Sequence, residues 1–269
     1  MSDFMAVEED FAKRLKDINI SVDEKMLEAF NTYYEMLVER NKVMNLTAIT
    51  EKSEVYVKHF LDSLAVMAAV SDKEFKSKFN LNFDADTEMK ELRSGFTKGS
   101  SLKVLDLGTG AGFPGIPLKI AFPNMEITLL DSLNKRVKFL NEVIDALKLK
   151  QITAIHGRAE DLAQKCEHRE KYDLCVSRAV ANLAVLCEYC IPYVALGGYF
   201  IAYKSGNIFP EIEMSVKAVK TLGGKIAGVK KMQLPGTDIE RSFVIIKKCS
   251  NTPKKYPRKA GLPSSSPLI

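Results

Sequence analysis

The chain has 269 residues, 46% of them hydrophobic, and a formal net charge of +5 at pH 7. This length allows one large domain, or one domain with an extension. No apolar run approaches the roughly 20 residues that a membrane-spanning helix needs, and residues 1–10 are acidic, without the basic and apolar pattern of a secretory signal. We therefore expect a cytoplasmic protein that has no membrane segment.

Residues 1–70 are predicted to form an N-terminal helical extension. Ser21 and Glu24 resemble a capping box at the start of a helix over residues 22–40. The apolar residues of that helix recur at helical spacing: they are Leu27, Phe30, Tyr34 and Leu37. A further helix is expected at about 55–70. Residues 71–101 are polar and charged, which predicts a mobile insertion or linker.

Residues 102–250 alternate apolar strand patterns with helical patterns. We predict strands near 102–107, 126–131, 151–156, 172–177 and 198–204. Helices are predicted near 114–122, 134–148, 182–194 and 209–222. A last strand, 242–246, follows a Pro235-Gly236 turn and is expected to pair with residues near 225–232. The alternation predicts an α/β fold with a doubly wound, mostly parallel sheet and an antiparallel last strand.

A glycine-rich turn follows the first of these strands. Asp106 precedes Gly108, Gly110 and Gly112, which are spaced G-x-G-x-G, and Phe113 stands where a dinucleotide-binding turn has its third glycine. A carboxylate there would repel a pyrophosphate, but it suits the ammonium and sulfonium of S-adenosylmethionine. The spacing therefore favours S-adenosylmethionine over a nicotinamide cofactor, with a purely structural glycine turn as the alternative.

The second strand ends at Asp131, which is placed to accept hydrogen bonds from ribose hydroxyls. Asp106 is assigned to the methionine end of the cofactor. Together the two carboxylates strengthen the prediction of a nucleoside-containing cofactor at this edge of the sheet.

The last segment, 251–269, is a basic, proline-rich tail. Basic residues lie close together there and just before it, without an acidic neighbour: Lys247, Lys248, Lys254, Lys255, Arg258 and Lys259. Such a segment can neutralise RNA phosphates, and Tyr256 offers a stacking face. A solvated tail that serves only solubility is the alternative.

Five scattered cysteines argue against a disulfide framework. Cys187 and Cys190 are spaced C-x-x-C, but they lie in an apolar, helix-like run with no second pair nearby. We predict buried structural thiols there. His156 and His168 lack metal-ligand companions, so no metal site is predicted.

Seven motifs occur in a consistent order over nearly the whole chain. They are Asn45–Ile49, His59–Leu64, Gly108–Leu118, Leu130–Arg136, Gly157–Asp161, Ser177–Ala181 and Thr252–Lys259. This series resembles the small-subunit ribosomal RNA guanine-N7 methyltransferase family, also called glucose-inhibited division protein B. The resemblance implies a Rossmann-like class I methyltransferase domain with an N-terminal helical extension. It also implies methyl transfer from S-adenosylmethionine to N7 of a guanine in 16S ribosomal RNA.

By motif position, the resemblance implies cofactor contacts from Gly108, Phe113, Ala159, Glu160 and Arg178. Two of these have other interpretations. Glu160 equally fits a charge that favours a helix N-terminus. Arg178 suits the cofactor carboxylate, an RNA phosphate or a surface ion pair.

Three further cations are RNA-binding candidates, with a solvated surface as the alternative: they are Lys135, Arg136 and Lys204. His59, within an apolar helix, is left without a role. The RNA partner would be small-subunit ribosomal RNA or the small subunit itself, and we expect a monomer.

Guanine N7 has an available lone pair and no proton. Direct in-line attack on the sulfonium methyl therefore needs no general base, and no catalytic residue is predicted; alignment and dipoles would supply the rate. Two other functions remain open on the residues alone. One is a methyltransferase acting on a protein or small molecule, and the other is a nonenzymatic RNA-binding module.

Overall fold

The computed structural model describes residues 2–71, 101–178 and 181–269. Seven strands form one sheet in the order β3-β2-β1-β4-β5-β7-β6. Neighbouring strands from β3 to β5 run parallel, whereas β7 is antiparallel to both β5 and β6. The prediction of a doubly wound, mostly parallel sheet that ends in antiparallel strands is confirmed.

The strands lie close to their predicted positions. Their bounds are β1 (Lys103–Leu107), β2 (Glu126–Asp131), β3 (Ile152–His156), β4 (Tyr172–Arg178), β5 (Val194–Lys204), β6 (Gly224–Gln233) and β7 (Glu240–Lys248). Strand β5 begins four residues earlier than the prediction of 198–204, because Val194 pairs with Tyr172 across an irregularity in the ladder. That extension was hidden by Gly197 and Gly198, which interrupt the apolar run.

Helices cover the sheet and fill the N-terminal region. They are α1 (Ser2–Asp17), α2 (Glu24–Met44), α3 (Lys52–Val55), α4 (Asp62–Leu64), α5 (Val66–Ser71), α6 (Gly115–Ala121), α7 (Asn134–Ala146), α8 (Ala159–Leu162), α9 (Leu183–Cys190), α10 (Phe209–Thr221) and α11 (Leu262–Ser265). A π-helical segment, Tyr56–Leu61, joins α3 to α4. None of the described helices is long and apolar enough to cross a bilayer.

The N-terminal helices share a hydrophobic core with one face of the sheet. Phe11, Phe30 and Phe60 from these helices are buried in the same cluster as Val176 and Phe243 of the sheet. Edge-to-face packing joins Phe11 to Phe30, with ring centroids 5.1 Å apart. Residues of α2, the π-helical segment and α4 thereby reach the carboxyl ends of the strands, where they contribute to the site described below.

Helix α2 begins with a different N-cap from the one predicted. The predicted capping box of Ser21 and Glu24 is wrong, because Asp23 is the N-cap of α2 and its carboxylate accepts from the Met26 amide at 2.8 Å. The predicted insertion over 71–101 falls almost entirely outside the described residues.

Candidate active site

The site lies where the strand order reverses. Strand β1 has β2 on one side and β4 on the other, so the chain leaves β1 in one direction and later returns to pair on its other edge. Ligands of doubly wound sheets bind beyond the carboxyl ends of the strands at this switch point. Gly108 follows β1 there and Arg178 ends β4. The glycine turn and Arg178 are thus brought to the same edge.

Asp106 binds residues at both ends of the glycine turn through its carboxylate. Its carboxylate is fully buried, and Oδ2 accepts hydrogen bonds from the Thr109 hydroxyl at 2.5 Å and from the Gly115 amide at 2.8 Å. Burial raises the pKa of Asp106 to about 7, against the opposing effect of these two hydrogen bonds. The other oxygen, Oδ1, is buried without a partner among the described residues. A bound cation or an ordered water would satisfy it.

Asp131 ties the end of β2 to the same turn. Its Oδ2 accepts from the Gly110 amide at 2.9 Å, and Oδ1 accepts from the Leu133 amide at 2.8 Å. The Arg136 guanidinium lies 3.4 Å from Oδ2. Gly110 itself has a positive φ of 62° and open space where a side chain would project. The turn is therefore held open and rigid between two buried carboxylates.

Phe113 sits at the end of the turn and is packed between the N-terminal helices and β4. Its ring stacks on His59, with centroids 4.6 Å apart, and the Arg178 guanidinium carbon lies 5.0 Å from the Phe113 ring centroid. Burial, and then the Arg178 charge, lower the pKa of His59 to about 4, so this imidazole is neutral near pH 7. His59 Nε2 lies 2.8 Å from the Thr47 hydroxyl.

Arg178 is held by a buried carboxylate that the sequence analysis did not single out. Asp62 Oδ2 lies 3.0 Å from Arg178 Nη1, and Asp62 Oδ1 lies 2.7 Å from Arg241 Nε. Arg178 Nη1 also approaches the carbonyl oxygens of Lys58 and His59, at 3.3 and 3.4 Å. An ion pair with Asp62 therefore already fixes the Arg178 side chain. The predicted contact of Arg178 with the cofactor or with RNA would either replace this ion pair or form in addition to it.

A cavity of about 410 Å³ opens beside this ion pair. It is lined by Lys58, His59, Asp62, Arg178, Tyr203, Lys204, Ser205, Glu211 and Arg241. Lys204 donates to Glu211 Oε2 at 2.8 Å and to the Ala181 carbonyl oxygen at 2.7 Å. The predicted RNA ligand Lys204 thus lies at the site, inside an ion pair.

The predicted adenine-side residues lie at a helix end near the tail. Ala159 begins α8, and its carbonyl oxygen accepts from the Tyr193 hydroxyl at 2.7 Å. Glu160 is buried, and its carboxylate accepts from the Gly261 amide at 3.0 Å. Glu160 therefore connects α8 to the C-terminal tail, an arrangement that local sequence gave no reason to expect.

The tail divides into exposed and engaged cations. Lys254, Lys255 and Lys259 are exposed. Arg258 instead donates to both carboxylate oxygens of Glu188, with Nη2 2.6 Å from Oε2 and Glu188 buried. The Tyr256 ring is buried too, so the proposed stacking face does not reach solvent. The guanidinium of Arg258 is thus part of the tail's attachment to α9.

Lys135 and Lys248 lie in different surroundings. Lys135 is exposed on α7, whereas Lys248 is buried and contacts Glu170 at 3.1 Å.

Cys187 and Cys190 are buried, as predicted, and burial raises the pKa of both thiols. Among the described residues, no group of three or more His, Cys, Asp or Glu could hold a metal ion.

The residues that sequence reasoning missed come from the N-terminal helices, from β7 and from α10. Tyr33 donates from its hydroxyl to the Ala111 carbonyl oxygen of the glycine turn. Asp62 and Arg241 fix Arg178, and Glu211 holds Lys204. Asp62 lies within the motif His59–Leu64, so the resemblance marked its neighbourhood, but not its role.

Sheet order, glycine turn and buried carboxylates together define a Rossmann-like methyltransferase that uses S-adenosylmethionine. The chain's residues fit that cofactor, since one buried oxygen of Asp106 has no partner in the described part of the chain and Gly110 leaves space above the turn. A sequence model of the protein family described as rRNA small subunit methyltransferase G matches residues 26–79 and 91–243 of this chain. The chain belongs to this family.

Curated relatives agree with the family match, and each is named ribosomal RNA small subunit methyltransferase G. The protein of Lachnoclostridium phytofermentans is 48% identical over 259 residues, which cover 96% of each chain. That of Clostridium botulinum is 47% identical over 252 residues, covering 94% of this chain and 95% of the relative. That of Bacillus licheniformis is 46% identical over 260 residues, covering 97% and 98%.

Proposed function

We propose that this protein transfers the methyl group of S-adenosylmethionine to N7 of one guanine in 16S ribosomal RNA. The observation that carries the proposal is the meeting of the glycine turn with Arg178 at the switch point, beside a cavity of about 410 Å³. Membership of the family supports ribosomal RNA of the small subunit as the substrate.

Each part of the cofactor is assigned to residues around the turn. The ammonium at the methionine end is assigned to Asp106, and the ribose hydroxyls to Asp131. Gly108, Gly110, Gly112 and Phe113 form the floor, with Ala159 and Glu160 at the adenine end. Asp131 already accepts two backbone amides, which fixes its orientation and leaves lone pairs for hydroxyl donors.

When bound, S-adenosylmethionine supplies an electrophilic methyl group. Guanine N7 carries a lone pair and no proton, so we assign no general base; the protein aligns the two reactants and excludes water. The carboxylate beside Arg178 fits this assignment. Both oxygens of Asp62 are paired with arginines, so Asp62 is not available as a base. Substitution of a single Asp, Glu or His that preserves cofactor and RNA binding is therefore expected to leave turnover measurable.

RNA would be held by cations around the site and on the tail. Lys135, Arg136 and Lys204 lie at or near the strand ends, and Lys254, Lys255 and Lys259 are exposed on the tail. Arg258 is assigned to tail attachment instead, because Glu188 already binds it. A ribosomal RNA substrate supports a cytoplasmic location, and we propose that the protein acts there as a monomer, with a methyltransferase domain over 102–250.

The proposal is tested by transfer of labelled methyl from S-adenosylmethionine to purified small subunits and to their naked RNA. The RNA is digested and the labelled nucleoside is identified. Label in N7-methylguanosine is the expected result. Label in another nucleoside overturns the target atom, and absence of transfer from bound cofactor overturns RNA as the acceptor.

A further inference from the structure

The cavity beside Arg178 has a charge pattern that the cofactor does not require. Its lining brings together four basic side chains, Lys58, Arg178, Lys204 and Arg241, and two carboxylates. The volume of about 410 Å³ lies within the range of small-ligand sites, about 300–1,000 Å³. In one carboxylate, Asp62, both oxygens are paired with arginines, Arg178 and Arg241. The other carboxylate, Glu211, is bonded through one oxygen.

Glu211 presents one oxygen that has no hydrogen bond among the described residues. Both of its hydrogen bonds, from Lys204 Nζ at 2.8 Å and from the Leu183 amide at 2.9 Å, end on Oε2. Oε1 has no bond among the described residues, and the side chain is 32% exposed. Within the described part of the chain, the carboxylate is therefore anchored by one oxygen, and the other can accept from a ligand.

The ligand that matches this oxygen is a base with adjacent N–H donors. Guanine carries N1–H and the N2 amino group side by side on its Watson–Crick edge, and unstacked RNA bases are commonly read on that edge. We infer that the cavity receives the target guanine and that Glu211 is its specificity-determining residue, accepting from N1–H and N2. This inference rests on the proposed function.

The assignment has a geometric consequence for the reaction. In guanine, N7 lies on the five-membered ring, across the base from N1 and N2. A carboxylate that holds the Watson–Crick edge therefore leaves N7 on the opposite side of the base, uncovered and available to the methyl donor. Adenine lacks the N2 amino group and has an acceptor at N1, so it would leave the carboxylate unpaired and would be rejected.

The test is a cycle of one protein variant and one base analogue. Small subunits are prepared with guanine or inosine at the target position, since inosine lacks only the N2 amino group. Wild type should lose about tenfold or more in kcat/KM on inosine. Glu211→Gln should show a loss of that size on guanine, with little further loss on inosine.

Two controls separate this role from a structural one. Glu213→Gln changes an exposed carboxylate on the same helix and should retain the wild-type preference for guanine. S-adenosylmethionine affinity and thermal unfolding of Glu211→Gln should stay close to wild type, because the Gln oxygen can still accept from both the Leu183 amide and Lys204 Nζ. A full inosine penalty in Glu211→Gln would overturn the inference. A wild type that makes no N7-methylguanosine would instead overturn the proposed function, before any variant is compared.

Discussion

The Tyr33 hydroxyl donates a hydrogen bond to the Ala111 carbonyl oxygen across 2.5 Å. Tyr33 belongs to α2, whereas Ala111 lies inside the glycine turn, so this bond joins the N-terminal helices to the predicted cofactor floor. The contact is close, because a side chain at Gly112 would come within 2.6 Å of the Tyr33 hydroxyl oxygen. The N-terminal helices therefore support the glycine turn structurally.

Replacement of Tyr33 by Phe is expected to weaken cofactor binding. The ring would remain packed on Phe60, but the buried Ala111 carbonyl would lose its donor, at a cost of about 1–2 kcal/mol. We expect a several-fold rise in the Kd for S-adenosylmethionine, measured by calorimetry, and a lower Tm. Tyr34→Phe is the matched control, since that hydroxyl bonds Thr50, away from the turn. Equal affinities for Tyr33→Phe and wild type would contradict the supporting role.

The pH dependence of cofactor affinity is expected to report Asp106. Its pKa is raised to about 7 by burial, so the carboxyl is mostly protonated at pH 6 and mostly charged at pH 8. If the charged form binds the cofactor ammonium, affinity should rise about tenfold between these values. Asp106→Asn should lack this rise and retain only the titration of the ligand's own amino group.

The control for this profile is Asp145→Asn, which removes an exposed carboxylate from α7 and should leave the pH dependence unchanged. Circular dichroism of Asp106→Asn establishes that the variant keeps its overall secondary structure. The assignment of Asp106 to the methionine end fails if wild type and Asp106→Asn give parallel affinity profiles.

The parts of the fold that depend on local sequence were predictable. Apolar runs of strand length alternate with helical patterns, and the spacing of Gly108, Gly110 and Gly112 is itself the sequence of the turn. The ion pairs were not predictable, because Asp62, Arg178 and Arg241 come from three separate elements. The sequence shows that each of these side chains is charged. It does not show which of them will be buried together and form ion pairs in the folded protein.

The tail shows the same limit. Lys254, Lys255 and Arg258 look equivalent in a basic segment, and all were predicted to bind RNA. The fold separates them, since Glu188 is buried and needs a partner within the protein, which Arg258 supplies. Charge density alone could not distinguish the anchoring side chain from its exposed neighbours.

Variants of the tail should therefore have different effects. Arg258→Ala would leave the buried Glu188 unpaired, and we expect a loss of several kcal/mol in the free energy of unfolding. Lys254→Ala with Lys255→Ala should leave that free energy within about 0.5 kcal/mol of wild type while weakening RNA binding and reducing its salt dependence. Urea unfolding and RNA binding at several salt concentrations measure the two effects.

A second substitution checks the cause of the instability. Glu188→Gln in the Arg258→Ala background removes the unpaired charge and should restore part of the lost free energy. If Arg258→Ala instead unfolds like wild type and loses RNA affinity, the ion pair is dispensable and the RNA role predicted from sequence is the better one.

His59 is expected to make the folded state sensitive to acid. Burial lowers its pKa to about 4, whereas the ordinary value is about 6.5. Between these two values the unfolded chain binds a proton that the folded chain does not. The free energy of unfolding should therefore fall as pH decreases from about 6.5 to about 4, by at most about 3 kcal/mol from this group.

Asp106 contributes with the opposite sign over part of the same range, because its raised pKa favours the protonated form in the folded chain. The difference between wild type and His59→Gln isolates the histidine. Urea unfolding at pH 7.5, 5.5 and 4.5 should show that His59→Gln loses less stability on acidification than wild type. His156→Gln, which changes an exposed histidine, should follow wild type. Parallel curves for His59→Gln and wild type would mean that the imidazole accepts a proton without unfolding the site.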